Sequence, residues 1–255
     1  MADDHALPIL EAAHVTKRFD FGDRPIVALE DASLSIRKGE FVCLIGPSGC
    51  GKSTLLRMIA GFEDVSEGRL HMWGKPVGGP GPDRGMVFQD YGLFPWLTVA
   101  RNVGFGPAAR GRPAAEVADT TRRFVEMVGL AKFADAYPHQ LSGGMKQRVA
   151  IARVLANEAE MVLMDEPFGA LDAMTRENLQ GELLDIWQRT KLTVIFVTHA
   201  IEEAILLADR ILVMSPGPGR IVADERVELP RPRDPTDPDF NALRRRFSAL
   251  LGSHH

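Results

Sequence analysis

Three runs of the chain are apolar at nearly every position: Phe41-Val42-Cys43-Leu44-Ile45, Met161-Val162-Leu163-Met164 and Thr193-Val194-Ile195-Phe196-Val197-Thr198. None shows the two-residue alternation of a strand with one wet face, so each predicts a strand buried on both faces, as in a parallel sheet. From Glu158 to Met214 such strands alternate with helical spacing, which predicts right-handed crossovers. The pattern is different between about Gln89 and Ala156. There Val117, Phe124, Val125 and Val128 share one helical face that Gly129 ends, and Val149 to Leu155 repeats the spacing in a second helix. The first part, about Leu10 to Phe88, reads as an antiparallel β region with a turn at Gly39-Glu40 that leads into the first buried strand. The fold class predicted is therefore α/β, a mostly parallel sheet with an N-terminal antiparallel β region and an inserted helical subdomain. Its boundaries are 10–88 with 157–230 for the core, 89–156 for the helical subdomain and 231–255 for the tail. The tail is too proline-rich to be helical from Leu229 to Pro238 and should run extended. Asp237 and Pro238 can then start a short helix with Phe240, Leu243, Phe247 and Leu250 on one face.

Between the first buried strand and the helical spacing of Thr54 to Ala60 lies Gly46-Pro47-Ser48-Gly49-Cys50-Gly51-Lys52-Ser53-Thr54. Strand, glycine loop and helix in this order form a phosphate cradle. Glycines at 46, 49 and 51 can adopt positive φ, which turns successive N–H groups inward, and the helix N-terminus adds partial positive charge. Lys52 supplies a point charge for β- and γ-phosphates, and the Ser53 hydroxyl is placed to ligate Mg²⁺. A cradle alone fits a kinase, a GTPase, a recombinase or a transporter motor.

The other buried strands end in polar residues at the same sheet edge, where ligands of parallel sheets bind. Asp165 and Glu166 follow the 161–164 run. Asp165 is expected to hold the Mg²⁺ shell, and Glu166, on the opposite side of an alternating strand, to polarise the attacking water. His199 follows the 193–198 run, where an imidazole can hydrogen-bond a γ-phosphate. Gln89 follows Gly85-Met86-Val87-Phe88, and its amide can touch both Mg²⁺ and the water.

The cradle, Gln89, Leu141-Ser142-Gly143-Gly144-Met145-Lys146-Gln147, Asp165-Glu166, Ala170-Leu171-Asp172 and His199, in this order, resemble the nucleotide-binding subunit of an ATP-binding cassette (ABC) transporter, which has a P-loop NTPase core. The resemblance runs from about Leu10 to Leu251, and its most specific element is the serine-diglycine string. It implies ATP and Mg²⁺ as ligands and a head-to-tail pair of identical subunits, in which the cradle of one faces Ser142, Gly143 and Gly144 of the other across the γ-phosphate. The physical reason is backbone access, since a hydroxyl and bare N–H groups at a helix N-terminus suit an anion. It also implies that Asp172 lies at the dimer seam and that Phe19 stacks on adenine, with Phe21 as the alternative. Within the family, Gly81 to Gln89, Leu93 to Val99, Asp165 to Asp172 and Val197 to Ala204 most resemble importers of nitrate, sulfonate, taurine or bicarbonate. Ala200 departs from the pattern, which has Asp after the histidine. The implied partners are transmembrane permease subunits and, indirectly, a periplasmic or extracellular solute-binding protein, with the chain on the cytoplasmic face of the membrane.

Composition fits this picture. The 255 residues carry a net charge of −4 and no basic block, so nucleic acid is not an expected partner. No apolar run is long enough to span a bilayer, and the first residues lack the basic start and apolar middle of a secretory leader. Two cysteines make no disulfide framework. Cys43 reads as filler in its strand. Cys50, at a helix N-terminus that favours a thiolate, also reads as filler, the alternative being a reactive thiol that ATP would protect. The terminal Gly252-Ser253-His254-His255 is given no metal role. Tyr91 to Leu97 is the expected docking segment for the permease, with core packing of its rings as the equal alternative. The competing functions are a soluble ABC ATPase acting on ribosomes or DNA, which usually carries two cassettes or a coiled-coil insertion, and a non-hydrolysing nucleotide-gated module, which has no use for Glu166.

Overall fold

A computed structural model of the chain describes residues 8–22, 24–88, 90–169 and 171–252. In chain order the elements are strands β1 (Leu10–Phe21), β2 (Arg24–Ile36) and β3 (Phe41–Ile45), helix α1 (Lys52–Ala60), strands β4 (Glu67–Met72), β5 (Lys75–Pro76) and β6 (Arg84–Val87), helices α2 (Val99–Ala109), α3 (Ala114–Met127) and α4 (Gly143–Ala156), strand β7 (Met161–Asp165), helix α5 (Ala173–Thr190), strand β8 (Thr193–Thr198), helix α6 (Ile201–Leu207), strands β9 (Arg210–Met214) and β10 (Ile221–Arg226), and helix α7 (Pro238–Gly252). The chain divides into two compact units, residues 1–80 with 187–255 and residues 81–186.

In the first unit β1 pairs antiparallel with both β2 and β4. The other strand group is built around β3, which runs parallel to β8 on one side and to β9 on the other, with β10 antiparallel at the edge of β9. Every residue of β3 and β8 is buried, which is why their sequences are continuously apolar rather than alternating. The predicted turn is present, with Gly39 at φ 80° and a Glu40 N–H to Arg37 carbonyl bond. In the second unit β6 and β7 pair in parallel, and α2, α3 and α4 form the helical part. Helix α3 buries Phe124 and Val125, as the spacing predicts, and Gly129 closes it at φ 69°. Thr121 also lies on the buried face, a polar residue that the apolar pattern passes over.

The tail is non-helical up to the start of α7, as predicted, but it is not extended throughout: it bends at 231–232 and turns at Asp234, whose carbonyl accepts the Asp237 N–H at 3.0 Å, before the helix that buries Phe240 and Phe247, each 1% exposed. Asp237 caps α7 by accepting the Asp239 N–H at 2.7 Å. Two arginines that no periodicity marks fix its path. Arg231 reaches Asp209 at 2.6 Å and lies over the Trp187 ring. Arg233 is 8% exposed and donates to the carbonyls of Ile205, Ala208, Val227 and Leu229. Burial, together with neighbouring Arg231, pulls the Arg233 pKa down to about 10, so the guanidinium stays charged at neutral pH. It thereby satisfies carbonyls at the C-terminal end of α6 that have no helical partner.

Candidate functional site

The cradle is the connection from β3 to α1, in the first unit. Gly49 and Gly51 have φ 78° and 92°, the left-handed values that expose successive N–H groups. Gly46 does not, and glycine is required there for space. A Cβ at Gly46 would lie 2.7 Å from Cys50 Sγ and 3.0 Å from the Met214 carbonyl oxygen. The loop is thus pressed against its surroundings. A Cβ at Gly51 would meet the Ala28 carbonyl of β2 at 2.6 Å, and one at Gly219 would meet the Cys50 carbonyl at 1.8 Å. Ala28, Met214 and Gly219 shape the cradle from behind, and no local motif announces them.

Cys50 is fully buried, so the side chain is filler and the reactive-thiol alternative does not hold. Pro47 is half-buried, and Ser48 and Gly49 form the exposed tip. The N-cap of α1 is Gly51, with no side-chain cap and no acid in the first turn. No acidic side chain of its own first turn opposes the positive dipole end. Lys52 is 5% exposed and folds its Nζ onto the carbonyls of Gly46 at 2.8 Å and Pro47 at 2.9 Å. Ser53 is exposed and Thr54 half-buried on the first turn of α1. A lysine, a hydroxyl and an uncapped helix N-terminus around left-handed glycines match the needs of a polyphosphate.

His199 belongs to the same edge. Thr198, which precedes it, stands opposite Ile45, which precedes Gly46, and the imidazole is exposed. Phe19 sits half-buried on β1 opposite Ile26, two residues from Ala28 in β2, with Lys17 Nζ 4.8 Å from its ring centre. Phe21 has a side chain outside the described residues, as does the whole of Gln89.

The second unit holds the other predicted residues. Asp165 ends β7 and is half-buried. Glu166 is no longer strand. Its φ is 45°, and its carbonyl accepts the Gly169 N–H at 3.1 Å, so a tight turn, not strand alternation, directs its side chain. A left-handed glutamate stores about 1–3 kcal/mol of strain, a cost seen where function demands a particular backbone. Ser142 is the N-cap of α4, accepting the Met145 N–H at 3.3 Å. A Cβ at Gly143 would lie 3.1 Å from Leu171 and one at Gly144 3.2 Å from Thr175, so both glycines let this helix end approach the 171–175 segment. Asp172 is the cap of α5, accepting the Thr175 N–H at 3.0 Å. Hydrogen bonds from Thr175 hold its carboxyl below the usual carboxylate range.

Arg153, near the C-terminal end of α4, donates to the carbonyls of Gly92 at 2.7 Å and Tyr91 at 3.2 Å and lies over Phe94. Burial lowers its pKa. It ties α4 to the aromatic segment beside a cleft of ≈ 820 Å³, which Phe88, Tyr91, Leu93, His139, Lys146 and Asp165 help to line. Trp96 is 69% exposed, which rules out a core role for that ring.

The ABC transporter family profile matches residues 29–169. A nitrate import ATP-binding protein from a Synechocystis strain is 48% identical over 235 residues, covering 89% of this chain and 88% of that protein. A taurine import ATP-binding protein from Ruegeria pomeroyi is 47% identical over 219 residues, covering 86% and 82%. Among solved structures, a dimeric ATP-binding cassette in a post-hydrolysis state with ADP and Pi is 33% identical, with a TM-score of 0.75 over 86% of this chain and 99% of that one.

Proposed function

The chain belongs to the ABC transporter family, and from that premise we propose that it is the ATP-hydrolysing subunit of an importer of a small anionic solute, closing head to tail with a second copy of itself. ATP binding and hydrolysis are the family's activities. The observation that carries the dimer reading is the pair of helix N-termini in one chain. Helix α1 opens with Lys52 inside a glycine cradle, whereas α4 opens with exposed Ser142 and two glycines and no lysine in its first two positions. One terminus is built to wrap a phosphate chain and the other to cap a single anion, so each needs the other's copy.

In this reading, Gly46, Pro47, Ser48, Gly49, Cys50 and Gly51 present backbone N–H groups and carbonyls to the triphosphate, with Lys52 and Thr54 beside them. Ser53, Asp165 and Gln89 would hold Mg²⁺, which when bound neutralises phosphate charge. Glu166 takes the proton of the attacking water, His199 and Gln89 orient the γ-phosphate and that water, and Phe19 stacks on adenine. Ser142, Gly143 and Gly144 reach the γ-phosphate of the partner's ATP, and Asp172 stands at the seam. Mixing a Lys52→Ala copy with a Ser142→Arg copy tests this directly. Each alone is inactive, and the mixture recovers ATPase activity because one hybrid pocket has both an intact lysine and an intact serine. No recovery, or full turnover by a strictly monomeric preparation, sinks the reading.

A nitrate import relative at 48% identity and a taurine import relative at 47% resemble this chain to nearly the same degree, which supports a cargo chosen by other subunits. Among the described residues no helix is long and apolar enough to cross a membrane. The chain acts as a peripheral subunit on the cytoplasmic face, beneath transmembrane permease subunits that a solute-binding protein supplies. The exposed ring of Trp96, tilted 38° to Phe94 with ring centres 5.6 Å apart and next in sequence to Pro95 of the cleft lining, suits an apolar segment of the permease. Trp96→Ala should leave the melting temperature and soluble ATPase activity unchanged and abolish co-purification with the permease. Co-purification at the native level would remove Trp96 from the docking surface.

A further inference from the structure

We propose that Glu203, acting through Thr198, is a positioning residue that fixes His199 at the edge of the phosphate cradle. The proposal rests on the reading of His199 as a γ-phosphate contact. Helix α6 starts two residues after His199, and its N-cap is Ala200, which makes no side-chain cap. The missing cap is supplied from the preceding strand. Thr198 Oγ1 accepts the Ala200 N–H at 3.0 Å and donates its own proton to Glu203 Oε2 at 2.6 Å.

Glu203 occupies the third helical position, from which an acid ordinarily reaches back to the N-cap N–H to complete a capping box. Here that N–H is already held by the threonine, and the acid holds the threonine instead. The hydroxyl has one proton, so a carboxylate acceptor fixes its direction and leaves a lone pair facing Ala200. The resulting ring closes around a single residue, His199. Its backbone is clamped while its imidazole remains exposed.

Several features make the ring rigid. Thr198 is 2% exposed and Glu203 8%, so water does not compete for either group. Thr198 is paired in register with Ile45, directly before Gly46, so the ring is tied to the strand that carries the cradle. The far end of α6 is held by Arg233 through the carbonyls of Ile205 and Ala208, which stops the helix from sliding to compensate for a lost bond. The neighbouring acid, Glu202, is exposed and pairs with Arg244 at 2.6 Å, so of the two acids in the first turn only Glu203 is turned inward.

The experiment is a double-mutant cycle on the full chain, with steady-state ATPase kinetics, nucleotide binding and thermal melting. Glu203→Gln preserves shape but offers an amide that can donate as well as accept, so the Thr198 proton loses its fixed direction. The expected result is a fall in kcat of about 10-fold to 10²-fold, the scale of a small misplacement of a catalytic group, with the KM for ATP unchanged. In a His199→Ala background Glu203→Gln should have no further effect, because there is no imidazole left to position. Thr198→Val should copy the kcat loss and Thr198→Ser should restore activity; this pair replaces Glu203→Gln in the cycle should that variant not fold. Equal losses from Glu203→Gln in both backgrounds would show a merely structural role and overturn the proposal. If His199→Ala alone leaves turnover intact, the assignment of His199 fails and the positioning role falls with it.

Discussion

Glu166→Gln lowers ATP hydrolysis by about 10²-fold to 10⁴-fold, the contribution of a positioned general base, while nucleotide affinity is retained and a dimer accumulates in ATP. In β7 the buried residues Met161, Val162, Leu163 and Met164 deliver Asp165 to the strand end. The next residue turns sharply, with φ 45° at Glu166 and a 3.1 Å bond from the Gly169 N–H to its carbonyl. An amide in place of the carboxylate keeps this turn and its size but cannot take a proton from water. Binding of ATP draws on the cradle and Lys52, which the substitution leaves alone. Closure therefore proceeds and reopening does not. Phosphate release in steady state and size-exclusion chromatography with and without ATP measure the two effects. Turnover within about twofold of the native rate would remove Glu166 from its role as general base.

Gly219→Ala is the second large effect, and it arises far from any phosphate-binding motif. The added Cβ would lie 1.8 Å from the Cys50 carbonyl oxygen and 2.9 Å from the end of the Met214 side chain. A methionine tip can move, but a backbone oxygen of the cradle moves only with the cradle. Gly219 itself cannot retreat freely, since its N–H donates to Ala28 at 3.2 Å and its carbonyl accepts from Glu30 at 2.9 Å. The clash should cost about 1–3 kcal/mol, as overpacking does. In a chain of this size that lowers the melting temperature by roughly 2–4 °C per kcal/mol. Because the displaced group belongs to the cradle, ATP affinity should fall about tenfold as well, the equivalent of roughly 1.4 kcal/mol. Gly217→Ala is the control, since its Cβ would come no closer than 3.8 Å to the Gly49 carbonyl. Equal ATP affinity for Gly219→Ala and Gly217→Ala would show that the loop yields without disturbing the cradle.

The parts of the site that were legible in the sequence are those whose chemistry is confined to a few consecutive residues. The run from Phe41 to Ile45 gives both ends of β3, and the run from Thr193 to Thr198 gives both ends of β8. Ser142 falls at the N-cap of α4, where the serine-diglycine string places it. The reading went astray where a local rule met a distant neighbour. Gly46 is glycine for lack of room beside Met214, not for a positive φ. Glu166 takes its direction from a left-handed turn, not from strand alternation. Cys50, read as filler, is indeed sealed from solvent despite standing next to the charged end of α1.

The sequence by itself determined the buried strands β3, β7 and β8, the glycine loop between β3 and α1, the helix start at Ser142 and the family, because apolar period, glycine backbone freedom and helix capping act within about one turn or one strand pair. Tertiary structure alone decided that Ala28, Met214 and Gly219 wall the cradle, that Arg233 caps α6 from the tail, and that Trp96 stands in solvent. Each of these depends on which surfaces meet after collapse, and close packing joins residues whose separation along the chain leaves no repeating pattern.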